Sequence, residues 1–191
     1  GKTFVAVNLG GILAKTGQKV LVVDLDMRKP KIHLAFGREK DDKGMSTVLI
    51  GRDKFEDCVQ TTEIEGLQYL GAGPVPPNPS ELMLGERFDN FIKQASKKYD
   101  VVILDTPPVG LVTDGVIVMK KADLTLYVVR ADYSRKIFLK TLQKLIKMNK
   151  FNNISAILNS VKILNKKGYG YGYGYGYGYG YYDEDHKEKV K

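Results

Sequence analysis

Five short apolar runs punctuate the chain, at residues 20–23, 67–70, 101–104, 124–129 and 154–158. Each is strand-sized and bounded by charged or turn-forming residues, the pattern of strands buried within a sheet. Between them, residues 3–15 (closed by Gly17), 80–98, 114–121 and 134–149 carry apolar side chains at helical spacing. Alternating strands and helices predict an α/β fold, a mostly parallel sheet with helices on both faces. Such sheets bind ligands beyond the C-terminal ends of their strands, so polar residues at those ends are the first candidates for chemistry. The Pro-Val-Pro-Pro-Asn-Pro stretch at 74–79 reads as a rigid extended connector, with Ser80 as N-cap of the next helix and Glu81 in its first turn.

After Asn165 the pattern changes. Gly and Tyr alternate, placing Tyr169, Tyr171, Tyr173, Tyr175, Tyr177, Tyr179, Tyr181 and Tyr182 in one tract. Glycine at every second position multiplies the conformations lost on folding, and no aliphatic side chain offers a core. The chain therefore divides into an expected folded domain, residues 1–165, and a flexible tail, residues 166–191. A flexible coil of about 14 residues has an r.m.s. reach of roughly 20 Å, enough for such a tail to meet a neighbouring subunit.

At 191 residues and 43% hydrophobic, the chain has room for one α/β domain and the tail. No run approaches the roughly 20 apolar residues that cross a bilayer. The chain opens on Gly1-Lys2-Thr3 without Met, so it is expected to begin in mid-protein. The single cysteine, Cys58, excludes an internal disulfide and a cysteine metal cluster, and points to a reducing, cytoplasmic compartment. The net charge of +8 is local: residues 1–132 hold 18 basic and 18 acidic residues, whereas 133–167 hold nine basic and none acidic. Lys136, Lys140, Lys144 and Lys147 fall opposite Phe138, Leu142, Leu145 and Ile146 on one predicted helix. That face is either simply solvated or a site for anionic headgroups, an acidic partner or a phosphorylated tail. No motif for nucleic acid accompanies it, and no nucleic-acid partner is expected.

Three elements carry candidate chemistry. Gly1-Lys2-Thr3 opens a helix as the end of a P-loop does, where backbone N–H groups cradle phosphates, lysine meets the β and γ phosphates, and the hydroxyl binds magnesium. Val20-Leu-Val-Val-Asp24-Leu-Asp26-Met-Arg28 is a buried strand ending in two carboxylates and an arginine. A strand must deliver such groups at its end, since a carboxylate in mid-core would be uncompensated. Val101-Val-Ile-Leu-Asp105-Thr-Pro-Pro108 ends an apolar strand in aspartate, the usual form of a Walker B carboxylate. Each element alone is common; the three in this order, all at sheet ends, are not.

The motif Asp24-Leu-Asp26-Met-Arg28-Lys-Pro resembles the extra Walker A′ motif of the bacterial tyrosine kinases, and Leu104-Asp105-Thr-Pro-Pro108 resembles their Walker B. Pro76-Pro-Asn-Pro-Ser-Glu-Leu82 and the tyrosine-rich tail are similar to that family as well, in particular to the cytoplasmic domain of Wzc-type polysaccharide co-polymerases. The resemblance implies a P-loop NTPase-type fold that lacks here its first strand and the first half of the P-loop. It implies an ATP- and magnesium-dependent protein-tyrosine autokinase that phosphorylates its tail tyrosines between subunits and regulates capsule or exopolysaccharide export. The implied partners are other copies in a ring, a transmembrane segment in the same chain or an adaptor, and a tyrosine phosphatase. The implied place is the cytoplasmic face of the bacterial inner membrane.

Phosphoryl transfer needs positioning and charge neutralisation above all. Lys2 is then the phosphate-neutralising cation; Thr3, Asp26 and Asp105 hold magnesium directly or through water, since that ion takes few carboxylates. Asp24 or Asp26 accepts the tyrosine proton, and spacing leaves the choice open. Arg28 either steadies the phosphates or pairs with a carboxylate. Asn159, at the end of the last strand, resembles the asparagine that reads adenine in related ATPases, a role its amide suits. Asp114 reads as a helix N-terminal carboxylate. Two rival readings remain: a partitioning or septum-positioning ATPase, which has no need of eight clustered tyrosines, and a non-catalytic scaffold with an adhesive tail.

Overall fold

The apolar runs fold as strands and the periodic segments as helices. In the computed structural model, which describes residues 1–108 and 114–162, the chain order is α1 (Lys2–Lys15), β1 (Val20–Asp24), α2 (Ile32–Ala35), α3 (Met45–Ile50), a 3-10 turn (Phe55–Asp57), β2 (Val59–Thr61), β3 (Leu67–Leu70), α4 (Pro79–Leu84), α5 (Glu86–Lys98), β4 (Val101–Asp105), α6 (Asp114–Met119), β5 (Thr125–Arg130), α7 (Lys136–Asn149) and β6 (Ile154–Asn159). Gly1–Val161 forms one compact unit.

β1 is central because every one of its side chains is buried. It pairs in parallel with β3 on one side and β4 on the other, and β2 adds an antiparallel edge beyond β3. Alternation along β1 sends Val20 and Val22 into a core with Ala6, Ala14 and Ile32, beneath α1 and α2. Leu21 and Val23 point the other way, against Met45 and Leu49 of α3 and Phe88, Phe91 and Ala95 of α5. Full burial of side chains such as Phe88 stabilises the fold by about 2 kcal/mol each. Helices therefore cover both faces of a mostly parallel sheet.

Where the structure departs from the sequence reading, packing decides. The segment expected as one helix over 80–98 is two, broken at Gly85, whose ψ of 157° is extended. Its N-cap is Asn78 with Pro79 in the first turn, rather than Ser80. At Gly10 a side chain's Cβ would lie 2.9 Å from Val22 and 3.2 Å from Leu67, so glycine lets α1 approach the sheet closely. That approach brings Lys2 and Thr3 to the C-terminal ends of β1 and β4.

β5 and β6 pair in parallel as a separate ribbon. Among the described residues β4 has its ladder partner on the β1 side only, and β5 on the β6 side only. Between them lies a cavity of about 1040 Å³, lined by Val101 to Asp105, Leu124 to Arg130 and the inner face of α1. Accordingly β4 is only half-buried over its first four residues, although its sequence is as apolar as β1.

Candidate functional site

The parallel register sets Asp24 directly opposite Asp105 at the ends of β1 and β4. Both are buried, at 1% and 5% exposure. Thr3 Oγ1 donates to Asp105 Oδ2 at 2.5 Å, tying the first turn of α1 to the end of β4. Burial pushes the Asp105 carboxyl up to about 6; the Asp24 and Asp26 carboxylates add to the rise, while the Thr3 hydroxyl and the Lys2 charge oppose it. Lys2 lies half-buried at the mouth of the cavity beside Asp105.

Asp24 organises the loop that follows β1. Its Oδ1 accepts the Asp26 N–H at 3.0 Å, and its Oδ2 accepts the N–H groups of Lys31 and Ile32 at 2.9 and 3.0 Å. These bonds hold its pKa down, but burial outweighs them and raises it. They occupy three of the roughly four acceptor positions of the carboxylate. Asp26 is half-buried and accepts the Lys29 N–H at 3.1 Å. Arg28 is exposed, with Nη2 3.4 Å from Ser80 Oγ, so it reaches across to the start of α4.

Asn159, at the end of β6, comes to Gly1: a Cβ on Gly1 would fall 2.6 Å from Asn159 Nδ2. The same region is cationic. Lys2, Arg130 and Lys31 all bring positive charge to Gly1. Gly1, Lys2, Thr3, Asp24, Asp26, Asp105 and Asn159 thus converge at one end of the sheet, with Arg28 on its rim. A second cavity, of about 430 Å³, lies at the opposite strand ends beside Lys19, Gly66 and Tyr99, away from these carboxylates.

The donor set suits a nucleotide with magnesium. Thr3, Asp26 and Asp105 offer hard oxygen ligands, and the surrounding cations suit phosphate. Among the described residues no group of three or more His, Cys, Asp or Glu side chains forms a metal site of its own. His33 accordingly has no such cluster around it.

Sequence reading missed Arg130 and Tyr133. Arg130 ends β5, with its guanidinium carbon 5.2 Å from the Tyr133 ring centroid. The available signal was a basic residue directly after the apolar run 124–129. The tail tyrosines Tyr169 to Tyr182 and the Asp114 side chain lie outside the described residues.

Comparison with known proteins gives the same picture. The AAA domain family matches residues 1–163. The tyrosine-protein kinase wzc of Salmonella typhimurium is 44% identical over 130 residues, 68% of this chain but 18% of that protein's length. The kinase domain of Escherichia coli tyrosine kinase ETK superposes with a TM-score of 0.78 at 34% identity, covering 91% of this chain and 68% of that one. The septum site-determining protein MinD of Pyrococcus horikoshii, solved with Mg-ADP, superposes at 0.65 with 26% identity over 82% of this chain and 62% of its own.

Proposed function

From the premise that the chain belongs to the AAA domain family and to the bacterial tyrosine kinases, we propose that it is the ATP-dependent catalytic domain of a tyrosine autokinase. Its phosphoacceptors are Tyr169, Tyr171, Tyr173, Tyr175, Tyr177, Tyr179, Tyr181 and Tyr182, modified by neighbouring copies. The observation that carries the reading is the Thr3–Asp105 hydrogen bond, which joins the P-loop helix to the Walker B strand beside Asp24.

Each residue then has a role. Lys2 neutralises the β and γ phosphates, and the N–H groups at the start of α1 donate hydrogen bonds to their oxygens. Magnesium, held by Thr3, Asp26 and Asp105 with water, would supply further charge neutralisation. Asp24 fixes the loop that presents Asp26 and Arg28. The phenolic proton passes to Asp24, whose raised pKa and one remaining acceptor position suit that task, or to Asp26. Arg28 steadies the transferring phosphate, and Asn159 meets the adenine edge.

The separation of β4 from β5 supports a further part of this reading. A segment preceding Gly1 supplies a strand that fills the gap of about 1040 Å³ and delivers the rest of the phosphate-binding loop to Gly1. Such a strand would pair with the edges of both β4 and β5 that have no ladder partner among the described residues. In the assembled protein the kinase works in a homo-oligomeric ring at the cytoplasmic face of the inner membrane. It is coupled there to a transmembrane segment or adaptor, reset by a tyrosine phosphatase, and regulates capsule or exopolysaccharide export. Among the described residues no helix is long and apolar enough to cross a membrane.

The likeness to MinD favours a second reading, an ATPase that hydrolyses ATP to control its own assembly. Mass spectrometry of the full-length protein after incubation with Mg-ATP separates the two. Phosphate on the tail tyrosines supports the kinase; ADP release without tail phosphate supports the ATPase.

A further inference from the structure

Twelve tyrosines occur in the chain, eight of them in the tail. The other four differ sharply in access. Tyr69 is 0% and Tyr99 6% exposed. Tyr127 is half-buried in β5, where burial raises its phenol pKa. Tyr133 alone among the four is open, at 73% exposure.

Its setting is built rather than incidental. β5 ends in a tight turn in which the Ser134 N–H donates to the Arg130 carbonyl and the Arg130 N–H donates to Ser134 Oγ, each at 2.9 Å. Asp132 takes a left-handed φ of 57° at the bend, and Tyr133 is displayed at its apex. Arg130, Arg135 and Lys136 lie within three residues of Tyr133 along the chain, against one carboxylate, Asp132, in the same segment. Arg130 packs over the ring, and both residues line the same cavity as Gly1, Lys2 and Asp105, so one cation serves both the phenol and the phosphate end of the site.

We propose that Tyr133 is a phosphoacceptor of this kinase outside the tail, and that its phosphate, paired with Arg130 and Arg135, weakens nucleotide binding at the same site. The proposal rests on the kinase reading above. The phenol oxygen of one copy bonds to the γ-phosphorus of ATP held by another. The bond from that phosphorus to the β–γ bridging oxygen breaks, ADP leaves, and the phenolic proton goes to a carboxylate at the site. The product carries about −1.5 to −2 charges beside Arg130. That charge draws the guanidinium off the nucleotide cradle and repels the nucleotide's own phosphates. The tail clears the site once modified, but a phosphate on the turn after β5 stays, so it acts as a lasting brake.

The test uses the full-length protein and its Tyr133→Phe variant, which keeps the ring and loses only an exposed hydroxyl. Both are dephosphorylated, then incubated with Mg-ATP and mapped by mass spectrometry. After removal of nucleotide, their affinities for a fluorescent non-hydrolysable ATP analogue are compared. The expected result is phosphate on Tyr133 as well as on the tail. The phosphorylated wild type should then bind the analogue about fivefold more weakly than the equally treated variant, a screened charge effect near 1 kcal/mol. Before phosphorylation the two should bind alike. Tail phosphate with an unmodified Tyr133 overturns this proposal and leaves the kinase reading standing, whereas phosphate nowhere overturns both. Modified Tyr133 with equal affinities overturns the regulatory role.

Discussion

The hydroxyl of Thr3 donates to the carboxylate of Asp105 across 2.5 Å, so residues 102 positions apart in sequence share one hydrogen bond at the heart of the site. Asp105 is buried there at a cost to the fold.

The pH dependence of that cost is the first prediction. An acid whose pKa rises from 3.8 to about 6 on folding binds more protons folded than unfolded between those values. Stability therefore falls as pH rises through about 4 to 6 and stays reduced above it. A rise of about two units corresponds to about 3 kcal/mol at most. Asp105→Asn should recover much of this at pH 8 without magnesium, while the wild type and variant converge near pH 4. Urea unfolding of the metal-free full-length protein across that range measures it. The same variant should need more magnesium for activity.

The two carboxylates after β1 should separate by what they hold. Asp24→Ala removes the acceptor of three backbone N–H groups and is expected to cost on the order of 3 kcal/mol or more. Asp26→Ala removes one such bond at a half-buried position and should cost less than about 1 kcal/mol. In kinetics, Asp26→Asn should raise the magnesium requirement. Asp24→Asn lowering the rate at unchanged magnesium requirement identifies Asp24 as the proton acceptor.

The strands that carry these residues were legible in the sequence because continuous apolar runs ending in Asp24 and Asp105 read as strands packed between helices, whether central, as β1 is, or at the end of the four-stranded sheet, as β4 is. Other elements were not. β2 spans three residues, Val59–Thr61, and its pattern of partial exposure leaves no apolar run to detect. α3 exists through tertiary contact: Gly44 approaches so closely that a Cβ there would sit 2.3 Å from the Gly73 nitrogen, and Thr47 bonds back to Gly44. Gly85 broke a helix whose periodicity ran on past it. The convergence of Arg130 and Asn159 on Gly1 depends on how β5 and β6 are placed in space, which linear spacing does not encode. The split between the two sheets was equally invisible, since β4 and β5 read as ordinary buried strands.

That split leads to a third prediction. Extending the chain upstream of Gly1 to include the proposed additional strand should raise the melting temperature by roughly 10 °C, through burial of apolar side chains and pairing with β4 and β5. A chain starting at Gly1 should bind Mg-ATP weakly in calorimetry. Equal melting temperatures and tight binding by the short chain would show that the cavity between β4 and β5 is not a strand's place.

Charge predicts how the tail acts on assembly. Eight phosphotyrosines would add roughly −12 to −16 charges to a chain of formal charge +8. Modified copies should repel, with the exposed Lys136, Lys140, Lys144 and Lys147 face tempering the first few phosphates. Light scattering should show large assemblies before phosphorylation and small species after it. Added salt should partly restore assembly, because repulsion is screened beyond about 8 Å at physiological ionic strength. Assembly unaffected by heavy phosphorylation at low salt would remove the switch.

The central claim is that one copy's Lys2–Thr3–Asp105 site phosphorylates another copy's tail, and complementation tests it most directly. Full-length Lys2→Met protein, with an intact tail and no phosphate-neutralising lysine, is mixed with full-length protein lacking residues 166–191. Alone with Mg-ATP, the Lys2→Met protein should leave its Tyr169 to Tyr182 unmodified. Mixed, they should place phosphate on the tail of the Lys2→Met copy, read by mass spectrometry. Tail phosphate on Lys2→Met alone would contradict the role of Lys2, and none in the mixture, while wild type modifies itself, would contradict transfer between copies.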